Sequence, residues 1–187
     1  MLKNIIEVRW HGRGGQGAWT ASELLARAAI HEGKYIQSFP EFGPERMGAP
    51  VSAFTRISTK PIKIHCAVYN PDIVVVLDPT LLKSVRVIDG LNDEGKIIIN
   101  SKDNPAEVRK MLNTDKGELW VVPATEIAIK ILGVPITNTA MLGAFARVTD
   151  LVKLETLEKI VKERFRLDIA EKNFAVIKES YEEVKLE

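Results

Sequence analysis

Residues 11–29 read HGRGGQGAWTASELLARAA, a stretch that places four glycines within six positions (Gly12, Gly14, Gly15 and Gly17). A short β-rich segment, residues 5–10, precedes it, and apolar residues at helical spacing follow over 18–31. Glycine permits the tight turn by which a strand leads directly into a helix. The stretch therefore predicts a strand–turn–helix unit around which the rest of the fold is built.

Strand-like and helix-like segments alternate along most of the chain. NPDIVVVLD, residues 70–78, is the clearest strand, because its apolar centre is typical of a strand covered on both faces. Residues 51–58 also predict a strand, and we expect residues 62–64 to pair with it as a hairpin. Asp150 is the expected cap of a helix over 151–165. The other strands are predicted at 35–38, 96–99 and 119–122, and the other helices at 81–85, 105–112, 125–132, 138–148 and 172–185.

This alternation predicts an α/β fold: a three-layer, Rossmann-like, mostly parallel sheet with helices on both faces and an antiparallel hairpin. The length of 187 residues fits a single domain, 1–187. We expect the last helices, 151–187, to pack on it as a C-terminal extension.

Composition and charge exclude several classes of function. A formal net charge of +1 offers no concentrated basic face, so we expect no nucleic-acid partner. The single cysteine, Cys66, cannot form an internal disulfide, an iron–sulfur cluster or a structural zinc site. The longest apolar run, residues 73–77, is far below the roughly 20 residues that span a bilayer. We therefore expect a cytoplasmic protein without a signal peptide or a membrane partner.

The glycine turn matches a phosphate-binding pattern only in part. Gly12, Gly14 and Gly17 form G-x-G-x-x-G between a strand and a helix, where backbone N–H groups can approach a phosphate. A dinucleotide site also requires an acidic residue at the end of the second strand. That strand ends in QSF, residues 37–39, and Glu41 lies beyond it in a loop. A Walker loop is excluded, since no Lys-Ser/Thr pair follows the glycines.

Three interpretations of the turn remain open: a simple connection without a ligand, an anion site, and a dinucleotide site. Arg13 and Gln16 favour the anion site, because a simple turn has no need of long polar side chains at its tip.

A second loop, PEFGPERMGAP at residues 40–50, contains three prolines and two glycines together with charged side chains. It is either a solvated charged loop or a contact surface. The carboxyl ends of parallel strands meet at one edge of a sheet, so both loops are expected to face the same surface.

Together, HGRGGQGAWTASELLARAA, FPEFGPERMGAPVSAFTRIS and NPDIVVVLD resemble the gamma subunit of 2-oxoacid:ferredoxin oxidoreductases, specifically the pyruvate and 2-oxoisovalerate group. The pairing of G-x-G-G-Q-G with a later G-P-E-x-x-G is the specific part of this resemblance. PITNTAMLGAFAR, residues 135–147, is similar to the late helix of the family with its asparagine, here Asn138. The chain departs from many relatives at Ala49, where they have a second glycine.

The resemblance implies a non-catalytic gamma subunit in a complex that oxidatively decarboxylates a 2-oxoacid to acyl-CoA and CO2 and reduces ferredoxin. Alpha, beta and delta subunits are the implied partners. Thiamine diphosphate, Mg and [4Fe-4S] clusters would lie on other subunits, with coenzyme A as co-substrate. The alternative is a stand-alone Rossmann-type nucleotide-binding oxidoreductase or binding module.

The candidate site residues fall into two groups, and neither a catalytic residue nor a metal ligand is predicted. The first group is expected to meet an anion or a coenzyme A phosphate: Gly12, Arg13, Gly14, Gly15, Gln16 and Gly17. The second group is expected at a partner interface: Glu41, Gly43, Pro44, Glu45, Arg46, Gly48 and Asn138. The three histidines are scattered and are expected to be structural, although His11 borders the glycine turn.

Overall fold

The computed structural model of the chain describes residues 5–41 and 47–187. The strands are β1 (Ile5–Arg13), β2 (Tyr35–Pro40), β3 (Pro50–Ser58), β4 (Ile73–Val76), β5 (Lys96–Asn100), β6 (Glu118–Val122) and β7 (Lys185–Leu186). The helices are α1 (Ala18–His31), α2 (Pro105–Leu112), α3 (Ala124–Leu132), α4 (Asn138–Thr149), α5 (Leu154–Arg164) and α6 (Leu167–Glu183). None of the helices in this part of the chain has the length and apolar character that a membrane span requires.

The strands form one seven-stranded sheet in the order β2-β3-β1-β4-β5-β6-β7. β1, β4, β5 and β6 pair in parallel, whereas β3 is antiparallel to both of its neighbours and β7 is antiparallel to β6. All strands except β3 and β7 therefore run in the same direction. β4 is buried on both faces, as its apolar sequence predicts. The predicted α/β fold with a mostly parallel sheet is confirmed.

The antiparallel part of the sheet is formed by different strands from those of the predicted hairpin. Residues 62–64 lie outside the strands. β3 pairs instead with β1 on one side, where Ser58 faces Ile5, and with β2 on the other, where Ser58 faces Tyr35. Both hydrogen-bonding edges of β3 are thus occupied, and no edge is left for residues 62–64. The predicted pairing of 51–58 with 62–64 is wrong, and β3 instead forms antiparallel pairs with β2 and with β1.

Helices cover the two faces of the sheet unequally. α1, α3, α4, α5 and α6 pack on one face in a large apolar core that includes Trp10, Leu24 and Phe145. On the other face, α2 and a short 3-10 helix, Pro79–Lys83, cover β4, β5 and β6. α5 and α6 belong to the larger core; their description as a C-terminal extension of one domain stays a prediction.

Helix ends follow local signals, with three departures from the sequence prediction. α1 and α2 occupy the predicted residues, and Asn104 caps α2 by accepting from Ala106 N at 3.0 Å. Residues 81–85 do not form an α-helix, because the shorter 3-10 helix takes their place. Asp150 adopts the left-handed conformation (φ 53) and ends α4, so it does not cap α5, which begins at Leu154. α6 begins at Leu167 rather than at 172.

Candidate functional site

The candidate site lies at the edge of the sheet where the parallel strands end. β1 ends at Arg13, and residues 14–17 turn the chain into α1. Because β3 runs in the opposite direction, the chain enters it at this same edge. Gly14 N donates to Ala49 O (2.9 Å), and Gly48 N donates to Gly14 O (3.1 Å). The glycine turn and the described end of the second loop therefore lie side by side.

Asp78, which follows β4, holds the two long polar side chains of the glycine turn. Gln16 Nε2 donates to Asp78 Oδ2 at 2.7 Å, and Arg13 Nε lies 3.2 Å from the same oxygen. Gln16 Oε1 accepts from Arg13 N at 2.7 Å. Arg13 Nη2 donates to the Thr80 hydroxyl at 2.8 Å, and Nη1 donates to Gly48 O at 3.0 Å. These bonds fix the shape of the turn, and they occupy the guanidinium that the sequence suggested for an anion.

The hydrogen bonds at Asp78 determine its ionisation. Burial would raise the pKa of this carboxyl, but hydrogen bonds from Thr80 and Gln16 and the charge of Arg13 outweigh burial and lower the pKa below its ordinary value. Asp78 Oδ1 also accepts from Thr80 N at 2.9 Å and so caps the 3-10 helix. Asp78 is therefore ionised at neutral pH, and its carboxylate holds the side chains of Arg13 and Gln16 in place.

Gly17 directly precedes α1 as its N-cap residue and contacts the start of α4. It adopts the left-handed conformation (φ 77, ψ 31), which glycine reaches at little cost, and no side chain caps the helix there among the described residues. A Cβ at this position would lie 2.6 Å from Asn138 Nδ2. Only glycine therefore fits between the two helix N-termini.

A cleft of about 500 Å³ opens beside the turn. Gly15 and Gly17 form part of its wall, with Trp19 from the first turn of α1 and Met47 from the second loop. Trp19 is 54% exposed and Met47 is 89% exposed, whereas most large apolar side chains of the cores are fully covered. Glu41 lines the same cleft. The cleft thus combines a helix N-terminus with exposed apolar side chains.

His11 lies on the face of β1 that points away from the larger apolar core, the core that contains Trp10. Its side chain is 6% exposed, and its Nε2 accepts from Arg9 Nε at 3.1 Å. Burial, and then the nearby charge of Arg9, lower the pKa of His11 to about 4, although a hydrogen bond with the Val87 backbone acts in the other direction. His11 is therefore neutral at physiological pH, and its structural role stays a prediction.

Arg56 forms a buried polar centre on that same face. It is 1% exposed and pairs with Glu7 Oε1 at 2.8 Å. Its guanidinium also donates to Gln37 Oε1 (3.1 Å) and to the backbone oxygen of Cys66 (2.8 Å). Arg56 therefore holds the irregular segment 59–72 across the outer face of β3, where the sequence predicted a hairpin strand.

The predicted site residues are only partly brought together. Gly12 and Arg13 belong to β1, and the other members of the first group form the turn described above. Glu41 and Gly48 lie within the second loop, whereas Gly43, Pro44, Glu45 and Arg46 lie outside the described residues. Asn138 is 8% exposed and contacts Gly17, so it belongs to the floor of the turn. Its assignment to a partner interface stays a prediction.

Sequence reasoning missed Asp78 as a residue of this site. The available signal was its position directly after an apolar parallel strand, at the edge where sites of open sheets form. Nothing in the sequence shows that its carboxylate reaches Arg13 and Gln16, since these residues lie at the end of β1 and directly after it, far from Asp78 along the chain.

The sheet order weakens the dinucleotide interpretation further. In the dinucleotide fold, the acidic residue for the ribose lies at the end of the strand next to the first. Here that neighbour is β3, which begins at this edge instead of ending there, and β2 is one strand further away. Glu41 therefore does not occupy the position of a ribose-binding carboxylate.

Comparisons with known proteins agree with this architecture. The family model for pyruvate ferredoxin/flavodoxin oxidoreductase matches residues 7–183. The chain is 54% identical over 182 residues to the pyruvate/ketoisovalerate oxidoreductases common subunit gamma of Pyrococcus furiosus, covering 97% of this chain and 98% of the relative. It is 46% identical over 180 residues to the pyruvate synthase subunit PorC of Methanocaldococcus jannaschii, covering 96% and 97%.

A crystal structure of a relative shows the same fold. The pyruvate oxidoreductase subunit PORC of Thermotoga maritima superposes with a TM-score of 0.89 at 44% identity, covering 98% of this chain and 99% of that one. The chain therefore belongs to the pyruvate ferredoxin/flavodoxin oxidoreductase family. Within that family, the prediction of a gamma subunit of a 2-oxoacid oxidoreductase complex is confirmed, and a stand-alone nucleotide-binding oxidoreductase is not favoured.

Proposed function

We propose that the chain assembles with alpha, beta and delta subunits into a 2-oxoacid:ferredoxin oxidoreductase and serves there as a non-catalytic subunit. The complex converts a 2-oxoacid and coenzyme A to acyl-CoA and CO2, and two electrons pass to ferredoxin. The observation that supports this proposal most is the similarity over nearly the whole chain to a gamma subunit. The cytoplasmic location expected from the sequence stays a prediction.

The residues of this chain support a division of labour in the complex. One cysteine cannot ligate a [4Fe-4S] cluster. In the described part of the chain, no group of three or more His, Cys, Asp or Glu side chains is arranged to hold a metal ion. We therefore assign thiamine diphosphate, Mg and the clusters to the other subunits, with this chain as a positioning and docking element.

Reconstitution tests this proposal. The chain is co-expressed with the candidate alpha, beta and delta subunits, and the purified complex is assayed for pyruvate-dependent and coenzyme A-dependent reduction of ferredoxin. We expect the four chains to purify together and activity to be lost when this chain is omitted. Recovery of this chain only as a free monomer, beside a fully active three-subunit enzyme, would falsify the proposal.

We assign the loop over residues 40–50 to the contact with the alpha subunit. Of the residues predicted there, Glu41 and Gly48 are described and lie at the same edge as the glycine turn. Reversing the charge by Glu41→Lys is expected to weaken alpha-subunit binding at least about tenfold, as for a charge pair lost from an interface. Glu94→Lys is the matched control, because Glu94 is exposed just before β5, at the opposite end of the sheet.

Equal loss of affinity in both variants would contradict this assignment, because the effect would then come from net charge and not from the loop. The same charge reversal at Glu45 and Arg46 extends the test along the loop.

We also assign the glycine turn, residues 12–17, to an anion, which is either a coenzyme A phosphate or a carboxylate of a partner subunit. The N-terminus of α1, which no side chain caps within residues 5–41 and 47–187, supports this assignment. Because Arg13 is paired with Asp78, Arg13→Ala is expected to act by loosening the turn. A raised KM for coenzyme A with normal assembly indicates the phosphate, and weakened assembly with an unchanged KM indicates the carboxylate. If neither changes, the stretch is only a turn.

A further inference from the structure

One edge of β2 carries outward-pointing backbone groups. In the part of the chain that the structure describes, β2 is the end strand of the sheet and pairs with β3 on one side only. Glu41 N donates to Ser52 O at 2.9 Å, so alternate residues counted back from Glu41 turn their backbone groups toward β3. The backbone groups of Ile36 and Ser38 therefore point away from the sheet. Such an edge is a template for a further strand.

Helix α1 lies above this edge. It connects the end of β1 to the start of β2 and so runs in the opposite direction to β2. Ser22 Oγ lies 2.5 Å from Ser38 Oγ, which places the underside of α1 on β2. Trp19 in the first turn of α1 lines the same cleft as Pro40 at the end of β2. The flank of α1 that carries Trp19 therefore faces the outer side of β2.

This flank carries a stripe of four side chains, Trp19, Glu23, Arg27 and Ile30. With 3.6 residues per turn, they lie within about 80° of one another around the helix. Trp19 is 54% and Ile30 is 59% exposed, and Arg27 Nη2 lies 2.7 Å from Glu23 Oε1. Along the helix the order is apolar, acidic, basic, apolar. The stripe is therefore complementary in charge to an antiparallel copy of itself.

A second β2 completes the edge when it lies antiparallel and pairs Ile36 with Ser38 of the second copy. Each such pair exchanges both of its N–H···O bonds. All outward N–H groups of β2 are then used, because Pro40, the third outward residue, has none. The same register places Tyr35, which is 48% exposed, opposite Phe39 of the second copy. Cross-strand aromatic pairs of this kind stabilise a sheet.

The two-fold axis of this register passes through the middle of the stripe. On the strand the axis lies at Gln37, one residue or about 3.3 Å from Ser38. Because α1 runs in the opposite direction and rises about 1.5 Å per residue, Gln37 is level with Leu24, two residues beyond Ser22. Leu24 lies near the centre of the stripe, so the strand edge and the helix flank share one axis.

We propose that two copies of the chain associate along the outer edge of β2 about this two-fold axis, which joins their sheets and packs their α1 stripes together. Trp19 then contacts Ile30 of the second copy, and Glu23 lies beside Arg27 of the second copy. Because α1 lies over β2 and β3 and strands are about 4.8 Å apart, the two copies of α1 lie roughly 10 Å apart, close enough for helices to pack.

Charge reversal on the stripe tests the helix contact. Glu23→Arg places like charges beside Arg27 of the second copy and should raise the dissociation constant of the dimer at least about tenfold. The double variant Glu23→Arg, Arg27→Glu restores opposite charges across the axis and should recover the affinity. Glu158→Arg is the matched control, because Glu158 forms the same i,i+4 ion pair with Lys162 on α5, outside the stripe.

Sedimentation velocity of the full-length chain over a range of protein concentrations measures this equilibrium. We expect a species of twice the chain mass to form as the concentration rises, with Glu158→Arg behaving like the unmodified chain and Glu23→Arg shifted toward monomer. A chain that stays monomeric at every concentration overturns the proposal. An equal effect of the two single variants, or no recovery in the double variant, does the same.

Hydrogen exchange locates the strand contact. The amides of Ile36 and Ser38 should become protected as the protein concentration rises, whereas those of Gln37 and Phe39, which point toward β3, should be protected throughout. A dimer in which Ile36 and Ser38 stay unprotected forms elsewhere and overturns the proposal. Protection that appears only when other subunits are added shows that a strand of another protein occupies the edge, and also overturns it.

Discussion

At the scale of single residues, His11 shows how the chain keeps a titratable group neutral. The imidazole is buried on the outer face of β1, where its Nε2 accepts a hydrogen bond from Arg9. A protonated imidazole would lose this bond and would lie against the positive charge of Arg9. The protein therefore excludes the proton from His11 in the folded state.

Acidification should destabilise the chain through His11. The folded pKa is about 4, whereas an unfolded histidine has a pKa of about 6.5. Below pH 6.5 the unfolded state binds a proton that the folded state does not, so stability falls as the pH is lowered from about 6.5 to 4, by up to about 3 kcal/mol. His11→Gln keeps an acceptor for Arg9 without a titrating group. Urea denaturation at pH 7 and pH 4.5 should show a smaller pH dependence for this variant than for the unmodified chain, and equal pH dependence would contradict the assignment.

The residue scale also marks the limit of sequence reasoning about the site. The glycine turn and its place between β1 and α1 are predictable, because glycine, strand and helix signals lie next to each other in the chain. The function of Arg13 and Gln16 is not predictable, because their partner Asp78 follows a strand that only the sheet order brings beside β1. Their polarity suggested a ligand, whereas their structural neighbour is a carboxylate of the same chain.

At the scale of elements, Gly17 fixes the distance between α1 and α4. Gly17→Ala is expected to introduce backbone strain at φ 77 and a clash with Asn138 Nδ2. Gly33→Ala is the matched control, because Gly33 has nearly the same φ, 76, but nothing within 4 Å of the added Cβ. We expect Gly17→Ala to lower the free energy of unfolding by at least about 1 kcal/mol more than Gly33→Ala in chemical denaturation. Similar losses would show that α4 moves away without cost.

Gly143 fixes the distance between α4 and α6 in the larger core, as Gly17 does between α1 and α4. A Cβ on this α4 residue would lie 2.1 Å from the backbone oxygen of Ile177 in α6. In an exposed helix, Gly→Ala stabilises by up to about 1 kcal/mol. We expect Gly143→Ala to destabilise by about 1–3 kcal/mol instead, because the two helices must separate. A raised Tm in this variant would contradict the close packing of α4 and α6.

Elements were predictable where their limits are local. α1 and α2 follow directly from a glycine turn and from the Asn104-Pro105 start. The pairing partners of β3 were not predictable, because strand pairing depends on which strand edges the rest of the sheet leaves free. Residues 62–64 have a strand-like sequence, but the Arg56 guanidinium donates to the backbone oxygens of Cys66 and Ala67 and so holds the segment that contains them.

At the scale of the whole molecule, stability should be highest in the middle of the sheet. Val74, Val76, Ile97 and Ile99 are fully buried between the layers, whereas β2 and β7 form the two edges. In native-state hydrogen exchange, we expect the amides of β4 and β5 to exchange only through global unfolding and those of the edge strand β7 to exchange earlier. Protection of β7 equal to that of β5 would contradict this order.

The reversed direction of β3 has a consequence for how the sheet is assembled in time. β2 and β3 are separated only by residues 41–49, whereas β1 must find β4 across the interval between Val8 and Ile73. Short loops close at a lower entropic cost, so β2 and β3 should form the folding nucleus. Ile57→Val in β3 should then slow refolding, and Ile98→Val in β5 should mainly speed unfolding, in stopped-flow measurements; the opposite pattern would contradict this order. From such a nucleus the sheet can grow in one direction only, from β3 to β1 and then outward through β4, β5 and β6.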